Sequence, residues 1–328
     1  SFMIKKYLKL FEESLFKVQQ YTKFSNTQWQ FFLDSYEKIF RKIDKEVFVW
    51  YFQKNNSFNI LQKNNEFIGI YGLIEIVINY NSQNINSFLC HNVGIKKEYS
   101  GKGLFQFLAE KSLIRNCNEN NLILGFPNKA SFKGHIRVGW EQISNMRFLK
   151  FDNLYSNVEL STIYKFENVE RFDHRLESAM TNFRDNFSVS LVKDYKYLNW
   201  RIAKPNNSYK CFLIKEEESI QGYLILKEYQ YENETRLHLV DFNFKDEHVL
   251  NEIIKFSIKY FQNGKYEFIN TWSVENSIYE NIFFKNNFII QTDFPSYPVI
   301  LFQKSNVFYF NKIDKSKIFF TLFDNDVF

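Results

Sequence analysis

Residues that break, staple or anchor a chain are scarce here. Four prolines and ten glycines among 328 residues argue against a low-complexity or disordered protein. The three cysteines, Cys90, Cys117 and Cys211, are odd in number and lack metal-ligand spacing. A disulfide framework is therefore not expected and neither is a metal; a reducing compartment, the cytoplasm, is. No apolar run approaches the roughly 18 residues that a membrane helix needs, so no membrane partner is expected. The stretch from Ile4 to Phe16 is charged and amphipathic, unlike a signal peptide. Charge of one sign is missing too. The 42 basic and 37 acidic residues are interleaved, leaving a net charge of +5 without a basic arm. Nucleic acid is therefore not an expected partner, although a mild positive excess suits ligands that carry phosphates.

What is present is apolar and aromatic. Hydrophobic residues make up 45% of the chain, including 39 Phe and 20 Tyr, enough for a sizeable core. The length suits two domains. Asparagines cluster in short polar breaks such as Lys54-Asn55-Asn56-Ser57 and Pro205-Asn206-Asn207-Ser208, where their tolerance of left-handed angles serves turns. Residues 4–44 read as two helices, with Leu8, Phe11, Leu15 and Val18 at helical spacing in the first and a start signal at Asn26-Thr27-Gln28-Trp29 in the second.

The run from Asn92 to Phe105 carries the most information. It reads as the end of a strand (Phe88–Ile95), a basic glycine turn (Ser100-Gly101-Lys102-Gly103), and a helix that begins at once with Leu104 and Phe105. Two glycines two apart admit backbone angles and close approaches denied to other residues. The helix that follows aims unpaired N–H groups and the positive end of its dipole at the turn. The chemistry is that of an anion site, most simply for a phosphate or diphosphate; a GxG at such a junction can equally be a plain turn.

After that helix come a strand at Leu122–Asn128, a second helical stretch, and Val138-Gly139-Trp140. With these in place the chain resembles the GNAT superfamily of acyl-CoA-dependent N-acyltransferases. In that family a glycine turn and helix N-terminus hold the CoA diphosphate, and an "Asn, helix, Gly-aromatic" element closes the acyl site. The resemblance implies acyl-CoA, as acetyl-CoA or a short hydroxyacyl-CoA, as co-substrate. It also implies cofactor contacts from Val93, Ile95, Ser100, Gly101, Lys102, Gly103, Leu104, Asn128 and Ser131. Two positions depart from the family: Ser100 stands where Arg or Gln is usual, and Phe105 where a small residue is usual. Asn128 has a second reading, as a cap for the helix at Ser131.

The same order returns in the second half: strands at Tyr209–Lys215, Ile220–Tyr229 and Leu237–Phe244, a helix at His248–Phe261, a strand at Phe268–Val274, and a helix at Ser277–Lys285. Asn128 precedes Trp140 by 12 positions, and Asn276 precedes Phe288 by 12. Two copies of one domain are expected, residues 1–165 and 166–328. The fold class is α/β: two tandem GNAT-like modules, each a mixed, mostly antiparallel sheet flanked by helices. The second copy replaces the glycine turn by Lys245-Asp246-Glu247-His248, whose acids repel a diphosphate. One CoA site is therefore expected, in the first module, with the degenerate second module contributing to an acceptor pocket. The whole chain resembles tandem-GNAT enzymes of bacterial surface polysaccharides, through Tyr197-Leu198-Asn199-Trp200-Arg201 and Leu322 to Phe328.

Acyl transfer to an amine gains from a base tuned near neutral pH and from donors at the developing oxyanion. His91, three residues before Gly94, is the histidine on the strand leading into the turn; it reads as base or as an ordinary strand histidine. Glu75 on the preceding strand and Asp241 in the second half are further catalytic candidates. Asp241 could instead be paired with Arg201 or His238. Cys90 points to the opposite face from His91, and His135 reads as solvated. The expected activity is N-acylation of an amino sugar, nucleotide-linked (dTDP- or UDP-), in surface polysaccharide synthesis. Partners are then small molecules, with a homodimer left open. The alternatives are an aminoacyl or peptidyl transferase of tandem-GNAT type and a non-catalytic GNAT-like binding protein.

Overall fold

The computed structural model describes residues 15–325. Most of the first expected helix lies outside them; Leu15 is helical, but the helix does not continue to Val18 as expected. Phe16–Tyr21 is a strand, β1, paired antiparallel with β2 (Asn56–Lys63) so that Val18 faces Leu61. The three-residue spacing of Leu15 and Val18 is that of a helix, since a strand places such residues on opposite faces; pairing with β2 overrides it from Phe16 onward.

By contacts the described chain forms two compact units, each assembled from separate segments. The first holds the residues up to Ile76, Asn86–Gln142 and Ile300–Phe308; the second holds Val77–Ile85, Ile143–Val299 and the residues from Tyr309 onward. No single cut divides them, since residues 143–165 pack with the second unit.

In the first unit α1 (Asn26–Ile39) starts at a capping box in which Ser25 and Gln28 satisfy each other's backbone N–H. A helix the sequence reading did not include, α2 (Lys45–Phe52), follows. Its run Val47-Phe48-Val49-Trp50-Tyr51-Phe52 has the β-branched and aromatic make-up of a strand, and packing overrides that propensity. Then come β3 (Glu66–Tyr80), β4 (Gln83–Ile95), α3 (Leu104–Asn116), β5 (Ile123–Gly125) and α4 (Lys129–Arg137); the end of β3 and the start of β4 count with the second unit. The sheet runs β1-β2-β3-β4-β5 and closes on residues 300–302. Its pairs β1/β2 and β2/β3 are antiparallel. The pair β4/β5 is parallel, at Phe88↔Ile123 and Leu89↔Leu124. Rings of Phe32, Tyr36, Phe48, Tyr51 and Phe58 pack together between α1, α2 and one face of the sheet. Leu61, Leu108, Leu113, Ile123 and Trp140 pack on the other, under α3 and α4.

The second unit contains β6 (Glu141–Phe151), β7 (Tyr164–Val169), α5 (Met180–Asp185), β8 (Val189–Leu191), α6 (Tyr195–Ile202), β9 (Tyr209–Glu216), β10 (Ser219–Tyr231), β11 (Glu234–Phe244), α7 (Glu247–Asn263), β12 (Ile269–Val274), α8 (Ile278–Lys285), β13 (Ile289–Ile290), β14 (Tyr297–Phe302) and β15 (Ile318–Phe319). The last residues of β14 count with the first unit. Pairs β9/β10, β10/β11 and β12/β6 are antiparallel, and β11/β12 is parallel at Leu237↔Ile269 and His238↔Asn270. Val249, Leu250, Ile253, Ile254, Ile258 and Phe261 form the buried stripe of α7. Each such side chain removed from water contributes about 1.5–3 kcal/mol. In chain order the same series occurs twice, three strands, a helix, a parallel strand, a second helix and a further strand: β2-β3-β4-α3-β5-α4-β6 and β9-β10-β11-α7-β12-α8-β13.

Candidate functional site

The glycine turn is anchored from below. Lys96 is buried and its Nζ donates to Glu66 Oε1 at 2.7 Å, while the Tyr99 hydroxyl donates to Glu66 Oε2 at 3.1 Å. The Lys96 hydrogen bond holds the Glu66 carboxyl below its usual range. Above that anchor Gly101 and Gly103 adopt φ of +76° and +77°. A Cβ at either would meet nothing within 4 Å, so the backbone angle, not crowding, demands glycine. The space in front of them is the site.

Gly103 is the N-cap of α3 and no side chain caps that helix. Its first N–H groups are therefore left to a ligand or to water. The corresponding helix of the second unit is self-satisfied, because Asp246 accepts from the backbone N–H of His248 at 3.0 Å and of Val249 at 3.1 Å.

A groove of about 890 Å³ opens at the turn. It is lined by every residue expected to bind the cofactor: Val93, Ile95, Ser100, Gly101, Lys102, Gly103, Leu104, Asn128 and Ser131. Val93 and Ile95 lie beyond the point where β4 and β5 pair. Asn92 between them and Cys90 takes φ of +48°, a bulge that leaves Cys90, Val93 and Ile95 packing against the same core. The Asn128 side chain accepts from the N–H groups of Ala130 and Ser131, both at 3.0 Å, and so caps α4 while lining the groove. Lys102 Nζ donates to the Glu98 carbonyl at 3.2 Å and rests on the Tyr99 ring. Phe105 packs on α4: a Cβ at Gly134 would lie 2.5 Å from its ring, and the His135 ring meets it edge-on at 5.2 Å. The bulk that departs from the family pattern is thus taken up by a glycine opposite.

Sequence reasoning missed the far walls. Ile39 and Phe40 from the end of α1, and Lys133 and Arg137 from α4, also line the groove. The α4 residues were within reach of it, since Ala130, Lys133, Gly134 and Arg137 fall on one helical face. The contribution of α1 depends on tertiary packing alone.

The three catalytic candidates do not join this set. His91 is buried at 3% exposure. Its Nδ1 accepts from the Asn92 amide at 2.7 Å and its Nε2 donates to Asn56 Oδ1 at 2.6 Å, which makes it a neutral imidazole with both nitrogens engaged. The Tyr36 hydroxyl extends the chain to Asn92 Oδ1 at 2.6 Å, and Tyr51 stacks on the ring. Glu75 is exposed and accepts from the Asn55 amide at 2.8 Å. Asp241 lies fully buried in the second unit. It accepts from Lys193 Nζ at 2.6 Å, from the Thr321 hydroxyl at 2.7 Å and from the Tyr223 hydroxyl at 3.1 Å. Asp324 completes the cluster at 2.9 Å from Lys193. The two carboxylates hold the Lys193 ammonium charged against its burial. Asp241 is thereby a framework residue.

His135, expected to be solvated, is buried beneath α4 instead. Its Nδ1 donates to the Ser131 carbonyl at 2.9 Å, and Nε2 faces Cys90 Sγ at 3.9 Å. Burial pushes its pKa down to about 4, so the ring is neutral at physiological pH. Of the repeated "Asn, helix, aromatic" element, the C-terminal ends correspond: Gly139 and Asn287 are both left-handed, and Trp140 and Phe288 after them are both buried. The N-terminal ends differ by one residue, since Asn128 caps α4 whereas Ser277, not Asn276, caps α8.

The sequence matches no family model and no curated protein. Among solved structures the chain is similar to a GCN5-related N-acetyltransferase from Anabaena variabilis ATCC 29413 (TM-score 0.68, 12% identity, covering 87% of this chain and 72% of that one). It is similar to a conserved protein of Enterococcus faecalis V583 described as a probable N-acyltransferase (TM-score 0.64, 11% identity, 87% and 72%). It is also similar to the N-myristoyltransferase of Saccharomyces cerevisiae with bound myristoyl-CoA (TM-score 0.58, 10% identity, 94% and 86%). At these identities the likeness establishes the fold, which is that of the GCN5-related N-acetyltransferases.

Proposed function

We propose that this protein is an acyl-CoA-dependent N-acyltransferase that moves an acetyl or short hydroxyacyl group to the amine of an amino sugar, nucleotide-linked, by direct attack in a ternary complex. The observation that carries the reading is the helix start at Gly103: two left-handed glycines, no side-chain cap, and an open groove in front. Backbone N–H groups of the first turn of α3 would hold the diphosphate, with Lys102 adding charge. The backbone of Val93 and Ile95, past the end of the β4/β5 pairing, would receive the pantetheine arm and supply a donor to the thioester carbonyl. The ligand supplies an activated acyl group. The protein holds and orients it and keeps the reacting end against the apolar wall of β4.

No side chain singled out as a base reaches the groove. In this proposal the amine loses its proton through water or through neighbouring groups of the acceptor itself. We further read the chain as two copies of one module, the second degenerate; the shared order of elements supports this, and Asp246 capping α7 explains why one copy would bind CoA. The amino-sugar acceptor rests on resemblance alone. Tyr197, Leu198 and Arg201, and Leu322 to Asp324, are buried in the second unit, so their contribution is to its framework.

The test is calorimetric titration of the full chain with acetyl-CoA and a short hydroxyacyl-CoA, with ATP as control. Micromolar binding of a thioester at a single site is expected. Lys102→Glu should weaken it at least about tenfold, since a reversed charge beside a diphosphate repels where it attracted, and should leave the thermal midpoint unchanged. A wild-type chain that binds no CoA thioester overturns the proposal.

A further inference from the structure

The lining of the groove is of two chemical kinds. Near β4 its walls are Val93, Ile95, Ile39 and Phe40; along α4 they carry Lys133 and Arg137. With Lys102 these make three cations against one carboxylate, Glu110, among the groove's lining residues. A diphosphate seated on the turn is already served by the N–H groups of α3 and by Lys102. Lys133 and Arg137 are then surplus to it.

They are surplus to the fold as well. Both are exposed, and among the described residues neither forms an ion pair. They stand one helical turn apart, a spacing at which like charges repel mildly. Arg137 lies in the last turn of α4, where a cation suits the helix dipole, but Lys133 does not. Gly134 between them packs against Phe105, which brings this face of α4 close to the start of α3.

We infer that Lys133 and Arg137 form a reading site for a further phosphate, so that the groove selects a 3′-phosphorylated adenosine diphosphate handle over the same handle lacking that phosphate. This rests on the acyl-CoA reading above and deepens it: the apolar end takes the acyl arm, the turn takes the diphosphate, and the nucleotide end extends along α4. The contacts are charge–charge and partly solvated, so they should be worth roughly tenfold in affinity and should weaken with salt.

The test compares CoA with dephospho-CoA by calorimetry on the full chain at low and at high ionic strength. The wild type should prefer CoA by about tenfold at low salt, with the preference shrinking as salt rises. Lys133→Ala/Arg137→Ala should bring CoA down to the affinity of dephospho-CoA, with an unchanged thermal midpoint because both side chains are exposed. Lys133→Gln alone should give part of the loss. Equal affinity of the wild type for both ligands overturns this inference while leaving the acyl-CoA reading standing, as does a double variant that keeps the preference. Failure of the wild type to bind either ligand overturns both.

Discussion

At the scale of single residues, position in the groove and chemical suitability part company. His91 has the side chain of a base, yet its ring is the middle member of a buried chain running from Tyr36 through Asn92 to Asn56. Removing it leaves those amides short of partners and Tyr51 without its stacking ring. His91→Asn should therefore destabilise the protein by about 2–3 kcal/mol, read as a lower urea midpoint, while the pH–rate profile keeps its shape. A profile that loses a limb near neutral pH would return His91 to the chemistry. Strand parity correctly separated Cys90 from His91, because alternation is local. Which of the two faces meets the groove is not local, and the bulge at Asn92 shifts the parity of everything after it.

Among elements, the contrast between α3 and α7 is the most instructive. Both follow a strand and pack on a sheet, but one begins at a bare glycine and the other at an aspartate that satisfies its own helix. Asp246→Ala should cost about 1 kcal/mol of stability through the lost cap and leave CoA affinity untouched. A variant with altered CoA affinity would mean that α7 contributes to ligand binding after all. The difference was legible in sequence because glycine and aspartate act on the backbone next to them. The helix α2 was not legible: nothing within Lys45–Phe52 distinguishes a buried helix from a buried strand. Its aromatic residues settle as a helix because Phe32, Tyr36 and Phe58 are there to receive Phe48.

For the whole molecule, each unit buries a histidine kept neutral. Burial lowers His135 to about 4 in the first unit and His238, whose Nδ1 bonds Asn270 Oδ1, to about 4 in the second. In the unfolded chain both protonate near 6.5, so between pH 6.5 and 4 the unfolded state binds more protons. Stability must therefore fall as pH falls through that window, by up to about 3 kcal/mol for each ring. Between pH 6.5 and 5 carboxylates whose folded values are ordinary or lowered add little to this, while Asp241, raised by burial, works in the opposite sense, so urea midpoints there read the histidines net of that one group. A midpoint that stays level from pH 7 to 5 would contradict the burial of both.

The sequence by itself determined the local physics: the left-handed turn at Gly101 and Gly103, the helix that starts on it, the caps at Ser25 and Asp246, the strand-to-helix order that recurs, and the residues of the groove that neighbour the turn. These follow from interactions between residues a few positions apart, which a one-dimensional reading contains. Tertiary structure alone decided that Ile39 and Phe40 share the groove, that Gly134 makes room for Phe105, and that His91 and Asp241 are locked into buried networks. Each of those outcomes depends on which distant side chain arrives to accept a hydrogen bond, neutralise a charge or fill a space. Asp241 ends beside Lys193 and Thr321, 48 and 80 positions away, and no spacing in the chain encodes that.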